Sequence, residues 1–120
     1  MTTTQTTSTL LAASELKGTD VYNLQNENIG DIDELLFTPD GSLRLAVLSV
    51  GGFLGLGTTR VAVPWEAFDV TVVRDGKIAI AIDATKERLE KAPRLAGKNY
   101  DRLYTDAEPI FVYWEVDYVE

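Results

Sequence analysis

The 120 residues carry 19 acidic and 11 basic side chains for a net charge of −8, with 45% hydrophobic and 25% charged residues. That composition is ordinary for one soluble domain with a single core, and no run approaches the roughly 20 apolar residues of a membrane span. With no cysteine and no histidine, the chain itself excludes disulfides, thiolate nucleophiles, thiolate zinc sites, Ser-His-Asp triads and His-held haem or iron, and its negative charge opposes nucleic-acid binding.

Residues 1–13 read as a disordered, Thr-rich tail. The tail has no basic region, and its only apolar stretch, Leu10-Leu11-Ala12-Ala13, is too short for a secretory signal, so a cytoplasmic location is expected. A first short strand is predicted at residues 19–22. The Asn- and Gln-rich residues 23–28 make a turn, and an extended run resumes at 29–37. Alternation fails in that run. A β-bulge near Asp33 or Glu34 reconciles it by turning Ile32, Leu35 and Phe37 inward together.

Pro39-Asp40-Gly41 signals a tight turn into a strand at 43–50, which becomes apolar on both faces towards its end and is expected to be covered on both sides. After the glycine-rich residues 51–57, residues 59–65 read as a half-buried strand. Val61, Val63 and Trp65 share one face, and Pro64, which has no N–H, implies that the strand ends there or runs along an edge. Asp75-Gly76 joins strands at 70–73 and 77–82, with Ile78, Ile80 and Ile82 on the core face. Residues 85–92 then read as a short helix capped by Asp83 or Thr85 and stopped by Pro93, with Leu89 and Ala92 packing on the sheet. Residues 94–105 show no period. Residues 109–120 read as extended, with Ile110, Val112, Trp114, Val116 and Tyr118 on one face.

Charge is uneven near the end. Residues 86–102 hold six basic and three acidic side chains, and residues 103–120 hold five acidic and no basic ones. This is either a solvated helix face beside an acidic tail or a pair of surfaces for contact between subunits.

Five or six short strands with one helix near the end describe a mainly β fold, a small barrel or strongly curved sheet. The order of motifs is more specific. Leu16-Lys17-Gly18-Thr19-Asp20-Val21-Tyr22, then Asn28-Ile29-Gly30-Asp31-Ile32-Asp33-Glu34-Leu35-Leu36, then Gly51-Gly52-Phe53-Leu54-Gly55-Leu56-Gly57, Val61-Ala62-Val63-Pro64-Trp65 and the segment from Ala84 to Pro93 together resemble the PRC-barrel family. The resemblance covers about residues 14–93 and implies a small PRC-type barrel of about six short strands, used as an interaction module and carrying no catalytic motif. A short helix follows the last barrel strand. Residues 94–120 are expected to form a C-terminal extension with a strand, packing on the barrel or on a partner subunit. The family includes the cytoplasmic part of the photosynthetic reaction centre H subunit and the C-terminal domain of a ribosome maturation factor. The chain shows neither the membrane helix of the first nor the extra domain of the second, so it is similar to the stand-alone bacterial branch.

The glycine stretch lacks the third glycine of a dinucleotide fingerprint and has no Gly-Lys-Ser/Thr. Gly30, Gly51, Gly52, Gly55, Gly57, Pro64 and Trp65 are therefore read as structural. Phe53, Leu54 and Leu56 either tuck into the barrel end or are offered to a partner. Phe111, Tyr113, Trp114 and Tyr118 suit a subunit contact, because aromatic side chains give large contact areas with polar handles. Asp31, Asp33 and Glu34 are solvated strand charges before they are cation ligands, since their spacing is not that of an EF-hand loop. The expectation is a non-enzymatic interaction and oligomerisation module without catalytic residues, cofactor or metal, whose partners are itself and an unidentified protein. A small-ligand or metal-binding barrel is the alternative, and a ribosome- or photosynthesis-associated accessory the next.

Overall fold

A computed structural model describes residues 10–51, 59–73, 77–94 and 107–118. Six strands form one sheet: β1 (Asp20–Asn23), β2 (Asn28–Phe37), β3 (Leu43–Val50), β4 (Thr59–Pro64), β5 (Phe68–Val72) and β6 (Ile78–Ile82). Their order is β4-β3-β2-β1-β6-β5. All neighbours are antiparallel except β1 and β6, which are parallel. Among the described residues three short helices accompany them: α1 (Ala13–Leu16), α2 (Lys86–Glu90) and α3 (Glu108–Tyr113). No helix among the described residues is long and apolar enough to cross a membrane.

β4 and β5 lie at opposite ends of the sheet, yet only the 3₁₀ turn Trp65–Ala67 joins them. Laid flat, six strands would hold the outer two about 24 Å apart. A three-residue 3₁₀ turn advances only about 6 Å. The sheet therefore curls until the end of β4 lies beside the start of β5, although among the described residues no ladder closes it there. The result is the small curved β fold read from the strand spacing.

Local chemistry explains most of the joints. The β2–β3 register shifts between Ile32 and Glu34, which is the expected bulge, and Ile32 before it and Leu35 after it are both buried. Phe37 does not join them. A second shift between Leu36 and Phe37 rotates the strand end and leaves Phe37 45% exposed. The following turn is tied by Thr38 and Asp40. The Asp40 carboxylate accepts from the Thr38 hydroxyl and from the Ser42 N–H, and those two bonds, the Thr38 one first, hold its pKa below the ordinary value. Thr85 caps α2 by accepting from the Arg88 N–H at 3.1 Å, and Leu89 and Ala92 are buried beneath it.

At Gly30 the backbones of β2 and β3 approach closely. Its φ is +149°, and a Cβ there would lie 2.5 Å from the Ser49 carbonyl oxygen on β3. Only a residue without a side chain lets the two backbones approach so closely.

Two further sequence expectations are corrected. β4 is buried on both faces, with Val61, Ala62, Val63 and Pro64 all enclosed and Trp65 only half-buried. It is not half-buried because α3 packs against it. The C-terminal stretch, expected to be extended, contains that helix. Its buried residues Ala107, Ile110, Phe111 and Trp114 follow the i, i+3, i+4, i+7 spacing of a helix face, whereas Val112, expected to share one strand face with Ile110 and Trp114, is 67% exposed. Pro109 in the first turn and the acidic Glu108 beside it suit a helix start. The helix closes with Val116 N–H donating to Phe111 O at 3.0 Å and Glu115 N–H to Val112 O at 3.1 Å. Glu115 takes the left-handed position with φ +59°, a place usually held by glycine.

Candidate interaction surface

The residues proposed from sequence fall into three groups. Gly52, Phe53, Leu54, Gly55, Leu56 and Gly57 lie outside the described residues. Gly51 is exposed, Pro64 is buried at the end of β4, and the Trp65 ring sits 5.6 Å from that of Phe68 in a tilted contact.

The C-terminal aromatic residues meet their own chain. Arg44 of β3 lies over the rings of Phe111 and Tyr118, 5.1 and 5.7 Å from their centroids, and those rings pack edge to face. Arg88 of α2 lies over the rings of Tyr113 and Trp114 at 5.4 and 5.0 Å. It also donates to Tyr113 O at 2.8 Å, and the Tyr113 hydroxyl donates back to Arg88 O at 2.6 Å. Two arginines, one from the sheet and one from the helix after it, thus hold residues 107–118 on the barrel by cation–π contacts and hydrogen bonds. Arg88 also pairs with Glu115 at 3.3 Å, so part of the charge asymmetry between the basic and acidic segments is used within one molecule.

The acidic residues of β2 are engaged as well. Register places Asp20 opposite Asp31, Asp31 opposite Ser49, and Ser49 opposite Arg60. Arg60 reaches back over β3 to Asp33 at 3.0 Å, and Lys17 approaches Glu34 at 3.6 Å. Partial burial, with the carboxylates of Asp20 and Asp33 nearby, raises the pKa of Asp31. Among the described residues no group of three or more carboxylates could hold a metal ion.

What the described residues leave uncovered is the outer face of β1, β6 and β5. Here the alternation is clean. Val21, Asn23, Ile80, Ile82 and Phe68 point inward and are buried, while Tyr22, Ala79, Asp69 and Thr71 point outward and are exposed. Tyr22 stands opposite Ala81, and Ala81 opposite Asp69. The short alanines of β6 make a shallow surface bordered by Tyr22.

The turn after β1 is held rigidly beside it. Asn23, only 3% exposed, accepts through Oδ1 from the N–H groups of Gln25 at 3.0 Å and Glu27 at 2.9 Å. Its Nδ2 donates to Glu27 Oε1 at 2.7 Å. The backbone closes around it through Asn23 N–H to Glu27 O and Asn26 N–H to Asn23 O, both 3.0 Å. Asn26 takes φ +63°, which Asn tolerates better than most residues. Leu24 is carried on this fixed turn and is 59% exposed. The sequence of residues 23–28 predicts only a turn. The available signal was a leucine inside an Asn/Gln-rich segment, where the turn itself requires no apolar side chain.

A sequence profile of the PRC-barrel domain matches residues 8–89, more than half of the chain. No curated protein matches the chain.

Proposed function

The chain belongs to the PRC-barrel family, and from that premise we propose that it is a non-enzymatic module for protein–protein interaction and self-association. The supporting observation is the outer face of β1, β6 and β5. Tyr22 and the short Ala79 and Ala81 form a shallow surface, and the turn after β1, locked by Asn23, carries the exposed Leu24. A rigid apolar group on an ordered turn loses little conformational entropy on binding, which favours affinity. The bound partner is a protein and not a polyanion, because the net charge of −8 repels phosphates. Phe53, Leu54 and Leu56 belong to the same proposal as a second apolar contact.

The test is co-purification after cross-linking in native cells, with the wild-type chain and with Leu24→Asp combined with Tyr22→Ser. Both side chains are exposed, so melting temperature should change by no more than about 2 °C. A stoichiometric protein partner lost from the double variant supports the proposal. A partner retained at wild-type level removes this face from it, and the absence of any stoichiometric protein defeats it.

A further inference from the structure

The two edges of the sheet are finished differently. β4 ends in Pro64, and beyond its outer side Val61 bridges Arg94. β5 carries the sequence Phe-Asp-Val-Thr-Val with no proline, lysine or bulge, and pairs only with β6 among the described residues. Such an edge is a template for another strand unless something blocks it.

The ladder fixes which groups face outward. Val73 N–H donates to Lys77 O at 2.7 Å, and the β5–β6 register runs on through Val72 opposite Ile78 and Val70 opposite Ile80. Antiparallel pairs alternate, so Thr71 and Asp69 exchange hydrogen bonds with β6. Val70 and Val72 then turn their N–H and C=O groups to the free edge. The Phe68 N–H is already spent on Trp65 O.

We propose that this edge pairs antiparallel with β5 of a second copy about a two-fold axis at Val70. This deepens the interaction-module reading and rests on it. About that axis Val70 faces its own counterpart and the two exchange both backbone bonds. Val72 N–H of each copy donates to Phe68 C=O of the other, giving four bonds with no donor left over except those already used. The register also sets Asp69 opposite the second copy's Thr71 as a close, non-hydrogen-bonded pair. Both side chains are exposed on the outer face, and a carboxylate accepting from a hydroxyl is a complementary pair made twice by symmetry. Sliding the axis to Thr71 would instead set Asp69 against the apolar Val73, which is 45% exposed.

Sedimentation equilibrium of the full chain tests this with three variants. The wild type is expected to be a dimer. Val70→Pro removes a donor that faces the free edge and none that faces β6, so the variant should be a monomer with wild-type circular dichroism. Thr71→Asp sets two like-charged pairs across the axis and should weaken the dimer about tenfold. Thr71→Lys sets two opposite-charged pairs and should tighten it by about the same factor at low salt, a gain lost at high salt. A monomeric wild type, a dimeric Val70→Pro, or weakening by Thr71→Lys would each overturn the inference. Should Val70→Pro fail to fold, the opposite responses of the two Thr71 variants still decide the matter. A monomeric chain that nevertheless holds its partner through Leu24 would overturn this inference and leave the module reading standing.

Discussion

Replacing Gly30 by alanine probes a close approach between β2 and β3. The new Cβ would lie 2.5 Å from the Ser49 carbonyl oxygen, 3.3 Å from the Ser49 carbonyl carbon and 3.4 Å from Val50 Cγ2. A carbon and a carbonyl oxygen tolerate roughly 3.3 Å at closest, so β2 and β3 must separate by about 0.8 Å, and no side-chain rotation relieves it. Overpacking of this kind costs about 1–3 kcal/mol, and holding alanine at φ +149° about 1–3 kcal/mol more. The expected loss is about 2–6 kcal/mol from a total of about 6–18 kcal/mol for a chain of this length. Gly18 provides the control, since it also has positive φ, +85°, but nothing within 4 Å of its Cβ position. Gly18→Ala should therefore lose only the conformational part, about 1–2 kcal/mol. Urea unfolding followed by tryptophan fluorescence measures both, with an unchanged m-value certifying a common mechanism. Equal losses at Gly30 and Gly18 would refute the steric argument.

Arg88→Ala should detach the C-terminal helix locally, lowering stability by about 1–3 kcal/mol and changing Trp114 emission, because it removes both ring contacts and the bond to Tyr113 O. Arg88→Lys should recover only part of this, since an ammonium does not stack as a guanidinium does. Glu115→Gly should raise stability by about 0.5–1 kcal/mol in urea titrations by relieving the left-handed φ, outweighing the exposed pair with Arg88. Asp31→Asn should stabilise the fold at neutral pH. Partial burial, with Asp20 and Asp33 nearby, raises the folded pKa of Asp31 above its ordinary 3.8. The folded chain therefore holds that proton more tightly than the unfolded one. The penalty on the folded state is complete above the folded pKa, and it fades as pH falls to 3.8 and below. The stability difference between variant and wild type should shrink across that window.

The parts legible in the sequence are those governed by local chemistry. Pro39-Asp40-Gly41 placed one hairpin, the strands flanking Asp75-Gly76, a dipeptide outside the described residues, pair antiparallel as expected, the broken alternation at Asp33 placed the bulge, and Thr85 placed a helix cap, because each depends on neighbours a few residues away. The ordered motifs from Leu16 to Pro93 gave the family for the same reason. The C-terminal helix was misread because Ile110-Phe111-Val112-Tyr113-Trp114 is rich in β-formers, and the helical spacing of Ala107, Ile110, Phe111 and Trp114 becomes decisive only once β4 is there to receive it. Arg44 and Arg88 were invisible as aromatic partners because sheet and helix bring them there over sequence separations of 67 and 25 residues or more. The outer face emerged only from the pairing of β1 with β6, a parallel contact between strands far apart in the chain that no short motif encodes.

Amide hydrogen exchange of the full-length chain, alone and bound to its co-purified partner, tests the interaction surface most directly. Binding through the outer face should slow exchange in residues 20–27 and 78–82 and leave residues 107–118 unchanged. Slowing confined to residues 107–118, with none on β1 or β6, would contradict it.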